Sequence, residues 1–193
     1  MRKFSWFMLG ILFSQAMFAQ VKLGAKAGYL YSDASGDLDS RHYNGYTVGI
    51  TSCIPVGSSS NIIGELLFSK RGYAVDNSVM IDGEWKNLKA AFSYIDMPVM
   101  YEYKVFPFAS VLGGAYFGVQ AGRSLYYSDE KQQDNQMGEK QLFDCGLLVG
   151  IRLYHKNLFL EAQYQHGLTS PYKNVGAFKS RSFCVNLGYM FPL

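Results

Sequence analysis

Long apolar runs are missing from this chain once its first twenty residues are set aside. That excludes a bundle of membrane-spanning helices, each of which needs roughly 20 consecutive apolar residues. A sustained stripe of apolar residues at helical spacing is missing too, so the chain does not read as a helical domain. Cysteine is scarce: Cys53, Cys145 and Cys184 are odd in number and scattered, with spacings that suggest neither a disulfide framework nor a metal site. Small unpaired side chains are the expectation for all three. Proline is scarce as well, at 5 residues. Neither sign of charge dominates. Without Arg2 and Lys3 the chain has 16 basic and 15 acidic residues, and it lacks the concentrated basic face that nucleic-acid binding requires. Glycine-rich phosphate loops are absent: Gly113-Gly114 falls inside an alternating segment, where glycine eases crowding and curvature. No cofactor is implied.

What is abundant points to an all-β chain. Tyr at 15, Phe at 14 and Gly at 20 sit in short segments that alternate apolar and polar. Before them, Arg2 and Lys3 form a positive start, Phe4 to Phe18 is mostly apolar, and Ala19 supplies a small residue at a cleavage point. This is the pattern of a secretory signal peptide. Ser14 and Gln15 break the run, which is also short for a membrane span. The expected organisation is a cleaved leader over residues 1–19 and one β-barrel domain over residues 20–193.

Side-chain parity decides the face of a strand. In the last segment Phe183, Val185, Leu187, Tyr189, Phe191 and Leu193 share one parity, and Ser182, Cys184, Asn186, Gly188 and Met190 the other. One face is wholly apolar, as a strand facing lipid requires. Seven earlier segments alternate similarly, near 21–31, 43–54, 62–71, 91–103, 108–121, 142–154 and 158–167. Pro98 lacks a ladder donor, which predicts a local bulge in the fourth segment. Connections after even-numbered segments are short (Pro55–Asn61, Lys104–Pro107, His155–Asn157). Those after odd-numbered ones are long and polar (Ser32–His42, Gly72–Ala90, Gly122–Gln141, Leu168–Arg181). The expected fold is an eight-stranded antiparallel up-and-down transmembrane β-barrel, with short periplasmic turns and long external loops. Tyr31, Tyr101, Tyr103, Tyr164, Tyr189 and Phe191 are the candidates for its interface girdles.

Ten of the 15 acidic residues fall in the long connections. The other five, Glu65, Asp96, Glu102, Asp144 and Glu161, all lie on the parity opposite the apolar residues, as do the bases Lys22, Lys26, Arg71 and Arg152. Eight strands enclose an interior just wide enough for side chains to fill. The expectation is therefore a lumen closed by a charge network of Lys26, Glu65, Arg71, Asp96, Glu102, Asp144, Arg152 and Glu161. His42 and His166 fall at the outer strand ends, with Ser170 beyond. A rim-located lipid-modifying enzyme is one reading of them. Ordinary interface residues are the favoured one, and no enzyme is expected.

Asn186, Gly188, Phe191 and Leu193 resemble the C-terminal signal read by the barrel-assembly machinery, although the Pro192-Leu193 ending departs from the common final aromatic. Outer-membrane lipid and that machinery are the partners this implies. Val21–Tyr29, Glu65–Gly72, Tyr94–Tyr103, Gly113–Gly118, Leu158–Leu168 and Leu187–Phe191, in that order, resemble the PorT-like outer-membrane β-barrel domain proteins of Bacteroidetes. The resemblance implies the same barrel and an outer-membrane location. It also implies either a structural, accessory or binding role through the external loops, or an accessory role in a type IX secretion and gliding system.

Overall fold

The computed structural model describes residues 21–35, 40–81, 84–127, 130–132, 142–169 and 179–192. Eight long strands carry it: β1 (Lys22–Ser35), β2 (Ser40–Pro55), β3 (Ser60–Ile81), β4 (Glu84–Phe106), β5 (Ala109–Tyr127), β6 (Phe143–His155), β7 (Leu158–Gly167) and β8 (Lys179–Met190). A three-residue strand, Glu130–Gln132, folds back on the end of β5. Each long strand pairs antiparallel with its neighbours in sequence, and β8 pairs with β1. The wall is thus a closed eight-stranded up-and-down barrel without a free edge. Closure leaves no sheet edge with a row of unpaired donors and acceptors, as hydrocarbon demands. The leader expected over residues 1–19 lies outside the described residues.

Parity sets what each face meets. Ile50, Val99, Val149 and Leu187 are 57–60% exposed, whereas Leu30, Ile63, Met100 and Leu148 on the opposite parity are 0–2% exposed. The outside is apolar over most of the wall, and the polar side chains are inside. Exposed aromatics gather in two belts. Tyr101, Tyr103, Phe106, Phe108, Tyr189 and Phe191 lie toward the short turns, and Tyr29, Tyr31, Tyr46, Phe117, Phe143 and Tyr164 toward the other end. Neighbours within each belt touch: the rings of Phe106 and Phe108 are 5.7 Å apart, and those of Phe117 and Phe143 are 5.5 Å apart.

Three features differ from expectation. The stretch Gly72–Ala90 is largely not a loop: β3 and β4 run on as a paired hairpin to Ile81 and Glu84. At 22 and 23 residues they are about twice the 9–11 that a bilayer requires. The apolar parity of β3 changes here, from even-numbered Ile62, Leu66 and Phe68 to odd-numbered Tyr73, Val75, Val79 and Ile81, so the pattern that marks the wall strand does not run through. Tyr73, Val75, Val79, Ile81 and Trp85 still favour extended pairing. The ends of β1, β2 and β5 extend beyond their expected limits in the same way. Second, no bulge occurs at Pro98. Gly64 pairs with Val99 and Leu67 with Asp96 in one unbroken register, and Pro98 pairs with Tyr116 on β5. The missing donor costs only local pairing toward β3. The irregularity sits instead at Ser93/Tyr94, where Ala121 of β5 is the extra residue. Third, Lys22 has lumen-facing parity but lies exposed at the barrel mouth.

The wall yields a face-specific expectation. Val149→Arg places a cation on the lipid side of β6 near mid-strand and should weaken folding into phospholipid vesicles by about 2–4 kcal/mol, measured by urea titration, whereas Val149→Ala should cost much less. Equal behaviour of the two variants would mean that Val149 does not face hydrocarbon.

Candidate functional site

The polar parity of all eight strands converges on the lumen, where the charged side chains form three tiers. In the central tier Lys26 of β1 lies 2.7 Å from Glu65 of β3 and 2.6 Å from Glu161 of β7. Arg152 of β6 grips Glu161 through two nitrogens, with Nε at 2.7 Å, and reaches Glu65 at 3.3 Å. These four side chains are completely buried. Two cations and two carboxylates alternate in a closed quartet, so no charge is left over. Thr51 donates to Glu65 at 3.2 Å and Asn186 to Glu161 at 3.0 Å. Phe159 stacks 4.5 Å from the Arg152 guanidinium. Gly188 makes this stacking possible: a β-carbon there would lie 2.1 Å from the Phe159 ring.

Toward the short turns, Glu102 of β4 is fully buried and is held by neutral donors. Asn61 Nδ2 donates at 2.5 Å, Tyr154 Oη at 2.5 Å and Ser110 Oγ at 2.6 Å. Tyr154 is also 3.5 Å from Arg152 and so links this tier to the quartet. Toward the other end, Arg71 of β3 binds both oxygens of Asp96 at 2.5 Å and Asp144 at 3.3 Å. Its guanidinium lies between the rings of Tyr94 and Tyr116, at 4.6 and 5.2 Å. Asp144 also accepts from Thr169 at 2.5 Å and from Tyr116 at 3.3 Å. Gly118 leaves room for Asp96, whose carboxylate oxygen would otherwise lie 2.4 Å from a β-carbon. An apolar cluster of Cys53, Ile63, Met100, Leu112, Tyr116 and Leu148 fills space beside these tiers.

Burying charge in this way is worthwhile only when each ion is paired or hydrogen-bonded. The donors Thr51, Asn61, Ser110, Tyr116, Tyr154 and Thr169, which complete the tiers, were not singled out as site residues by the sequence, and Asn186 was singled out only as part of an assembly signal. Their signal was polar or hydroxyl-bearing character on the parity that also carries the acids. The residues resembling an assembly signal separate. Asn186 and Gly188 serve the quartet, and Phe191 is 45% exposed, with its ring 5.8 Å from that of Tyr189. Leu193 lies outside the described residues. At the far rim His42 stacks on Tyr31 at 4.4 Å. His166 pairs across the strands with Leu147 and Arg181, and Ser170 is not among the described residues. All three cysteines are free thiols. Among the described residues no cluster of His, Cys, Asp and Glu could hold a metal ion.

The family model for the outer membrane protein β-barrel domain matches residues 13–172. Among solved structures, the attachment invasion locus protein Ail of Yersinia pestis is similar at 16% identity and a TM-score of 0.53, covering 89% of this chain and 99% of Ail. Neisserial surface protein A is similar at 13% identity and a TM-score of 0.56, covering 89% of this chain and 97% of its own. At these identities the likeness concerns the fold. No curated protein matches the chain by sequence.

The tiers should respond unequally to loss of their cations. Arg71→Met removes the cation from both oxygens of Asp96 and leaves Asp144 with Thr169 and Tyr116 alone, and should cost about 3–5 kcal/mol. Arg152→Met should cost less, because Lys26 still contacts both Glu65 and Glu161. Adding Asp96→Asn and Asp144→Asn to Arg71→Met should recover part of its loss. Vesicle unfolding titrations of these variants check the order, and equal losses would contradict the division into tiers.

Proposed function

The chain belongs to the outer membrane protein β-barrel domain family, and on that premise we propose that its lumen is a plug, not a channel. It is a small outer-membrane β-barrel protein, and its job on this reading is structural, accessory or binding, carried out by the connections opposite the short turns. The single observation behind the reading is the completely buried quartet of Lys26, Glu65, Arg152 and Glu161 across the lumen. A water-filled path would have to break these pairs. The β3–β4 hairpin adds support, since it carries paired strands well past the length that a bilayer requires.

In the same reading residues 1–19 are a cleaved leader, the short turns face the periplasm, and Asn186, Gly188, Phe191 and Leu193 act as the signal to the assembly machinery. Membership of the PorT-like group of Bacteroidetes, with an accessory role in type IX secretion, is the second reading. It rests on the ordered motifs from Val21–Tyr29 to Leu187–Phe191. A rim enzyme has less support, because the cross-strand neighbours of His166 are Leu147 and Arg181.

Purified protein in planar bilayers should show no large steady conductance, and its unboiled band should migrate differently from the boiled one in SDS gels. Porin-sized currents from the native protein would overturn the plug. Absence of a heat shift would count against a stable membrane barrel.

A further inference from the structure

Lys22 at the start of β1, Lys104 near the end of β4 and Lys156 in the β6–β7 turn are far apart in the chain. The fold brings all three to the lining of one pocket of about 770 Å³ at the short-turn mouth. From this convergence we propose that the mouth binds a compact anion carrying two or three phosphate or carboxylate groups.

Three observations carry the proposal. First, Lys22 and Lys104 share the lumen-facing parity of Lys26 and Glu102, which places them at the barrel's mouth and not on its apolar outer face. Second, none of the three lysines has an ion pair among the described residues, whereas Lys26, Arg71 and Arg152 below them are all paired. The carboxylate described beneath this mouth is Glu102, and it already accepts from Asn61, Ser110 and Tyr154. Of the acids in the long connections, the described Asp33, Asp76, Glu84 and Glu130 lie in strand segments at the opposite end of the barrel. Third, Lys156 has a φ of 55°, and it is the non-glycine residue with positive φ among the described residues. Two-residue hairpin turns favour glycine or asparagine in that conformation. A lysine held there puts an ammonium group at the mouth despite the backbone preference.

Like charges gathered at a concave mouth repel one another and attract a counter-ion. The volume lies within the range of about 300–1,000 Å³ found for small-ligand sites. Met190, Phe191 and Pro107 supply apolar wall beside the lysines. Nothing here depends on which side of the membrane the turns face, so the proposal and the plug reading can fail separately.

The test uses the folded full-length barrel in non-ionic detergent micelles, titrated calorimetrically with inorganic triphosphate and, separately, with citrate. Saturable binding that weakens with added salt is expected. Lys22→Gln, Lys104→Gln and Lys156→Asn should each weaken it roughly tenfold, the scale of one hydrogen bond to a charged group, and the triple variant should lose it. Lys156→Asn suits the turn, and a retained heat shift in gels shows that each variant is folded. Lys70→Gln, on the outer parity of β3, should leave binding unchanged. Nanodiscs with and without phosphatidylglycerol then separate sources. Triphosphate binding lost only with the anionic lipid assigns the site to a lipid headgroup, and binding retained in both assigns it to a soluble anion. Absence of saturable binding, or binding unaltered in the triple variant, overturns the proposal.

Discussion

Hydrocarbon on one face of every wall strand is the constraint on which the rest of this structure depends. A charge cannot leave through that face without a cost of about 2–4 kcal/mol near mid-depth for a base. Every ion turned inward along the wall must therefore be resolved within the lumen. Eight strands leave no room there for bulk water, so resolution means direct contact. Lys26, Arg71 and Arg152 each touch two carboxylates. Such pairs are weak arguments for stability, because desolvation offsets much of their attraction. Their stronger effect is on register. A slip of one residue would send each of these charges to the lipid face, a far larger penalty than any loss of packing.

Narrowness makes small residues as necessary as charged ones. Phe159 can lie on the Arg152 guanidinium because Gly188 across the strand has no side chain, and Gly118 likewise leaves space for Asp96. Large and absent side chains alternate around the interior so that the network and the apolar cluster fit together. The abundance of glycine in the strands follows from this packing, not from a need for unusual backbone angles.

Parity was legible in the residues, and with it the eight wall strands, the lipid face and the buried position of Glu65, Asp96, Glu102, Asp144 and Glu161. These all follow from one local rule of period two. The partner of each acid was not legible, since Lys26 meets Glu161 across a sequence separation of 135 residues and only the barrel's closure brings them together. The extension of β3 and β4 was hidden because the apolar parity of the wall segment of β3 switches past Gly72 and so reads as its end. The bulge was misplaced because a proline constrains only its own donor. Pro98 directs that loss toward β3, while the extra residue, Ala121, sits on the other neighbouring strand with no mark in its own sequence.

The five wall acids outnumber the three buried cations, and the position of the surplus follows a physical order. The central quartet is balanced, two charges against two. The additional carboxylates lie toward the ends, Glu102 on the turn side and Asp144 beside Arg71 and Asp96 on the other. Each is completed by neutral donors: Asn61, Ser110 and Tyr154 for Glu102, and Thr169 and Tyr116 for Asp144. A charge interacts more strongly where water is farthest away, so imbalance costs most at mid-membrane and least near the mouths. Hydroxyl and amide donors can hold a carboxylate near an end, where solvent and mobile ions help. At the centre only a full counter-charge suffices. The same gradient lets the three lysines at the turn-side mouth stand without an ion pair, whereas Lys26, Arg71 and Arg152 deep in the lumen are all paired.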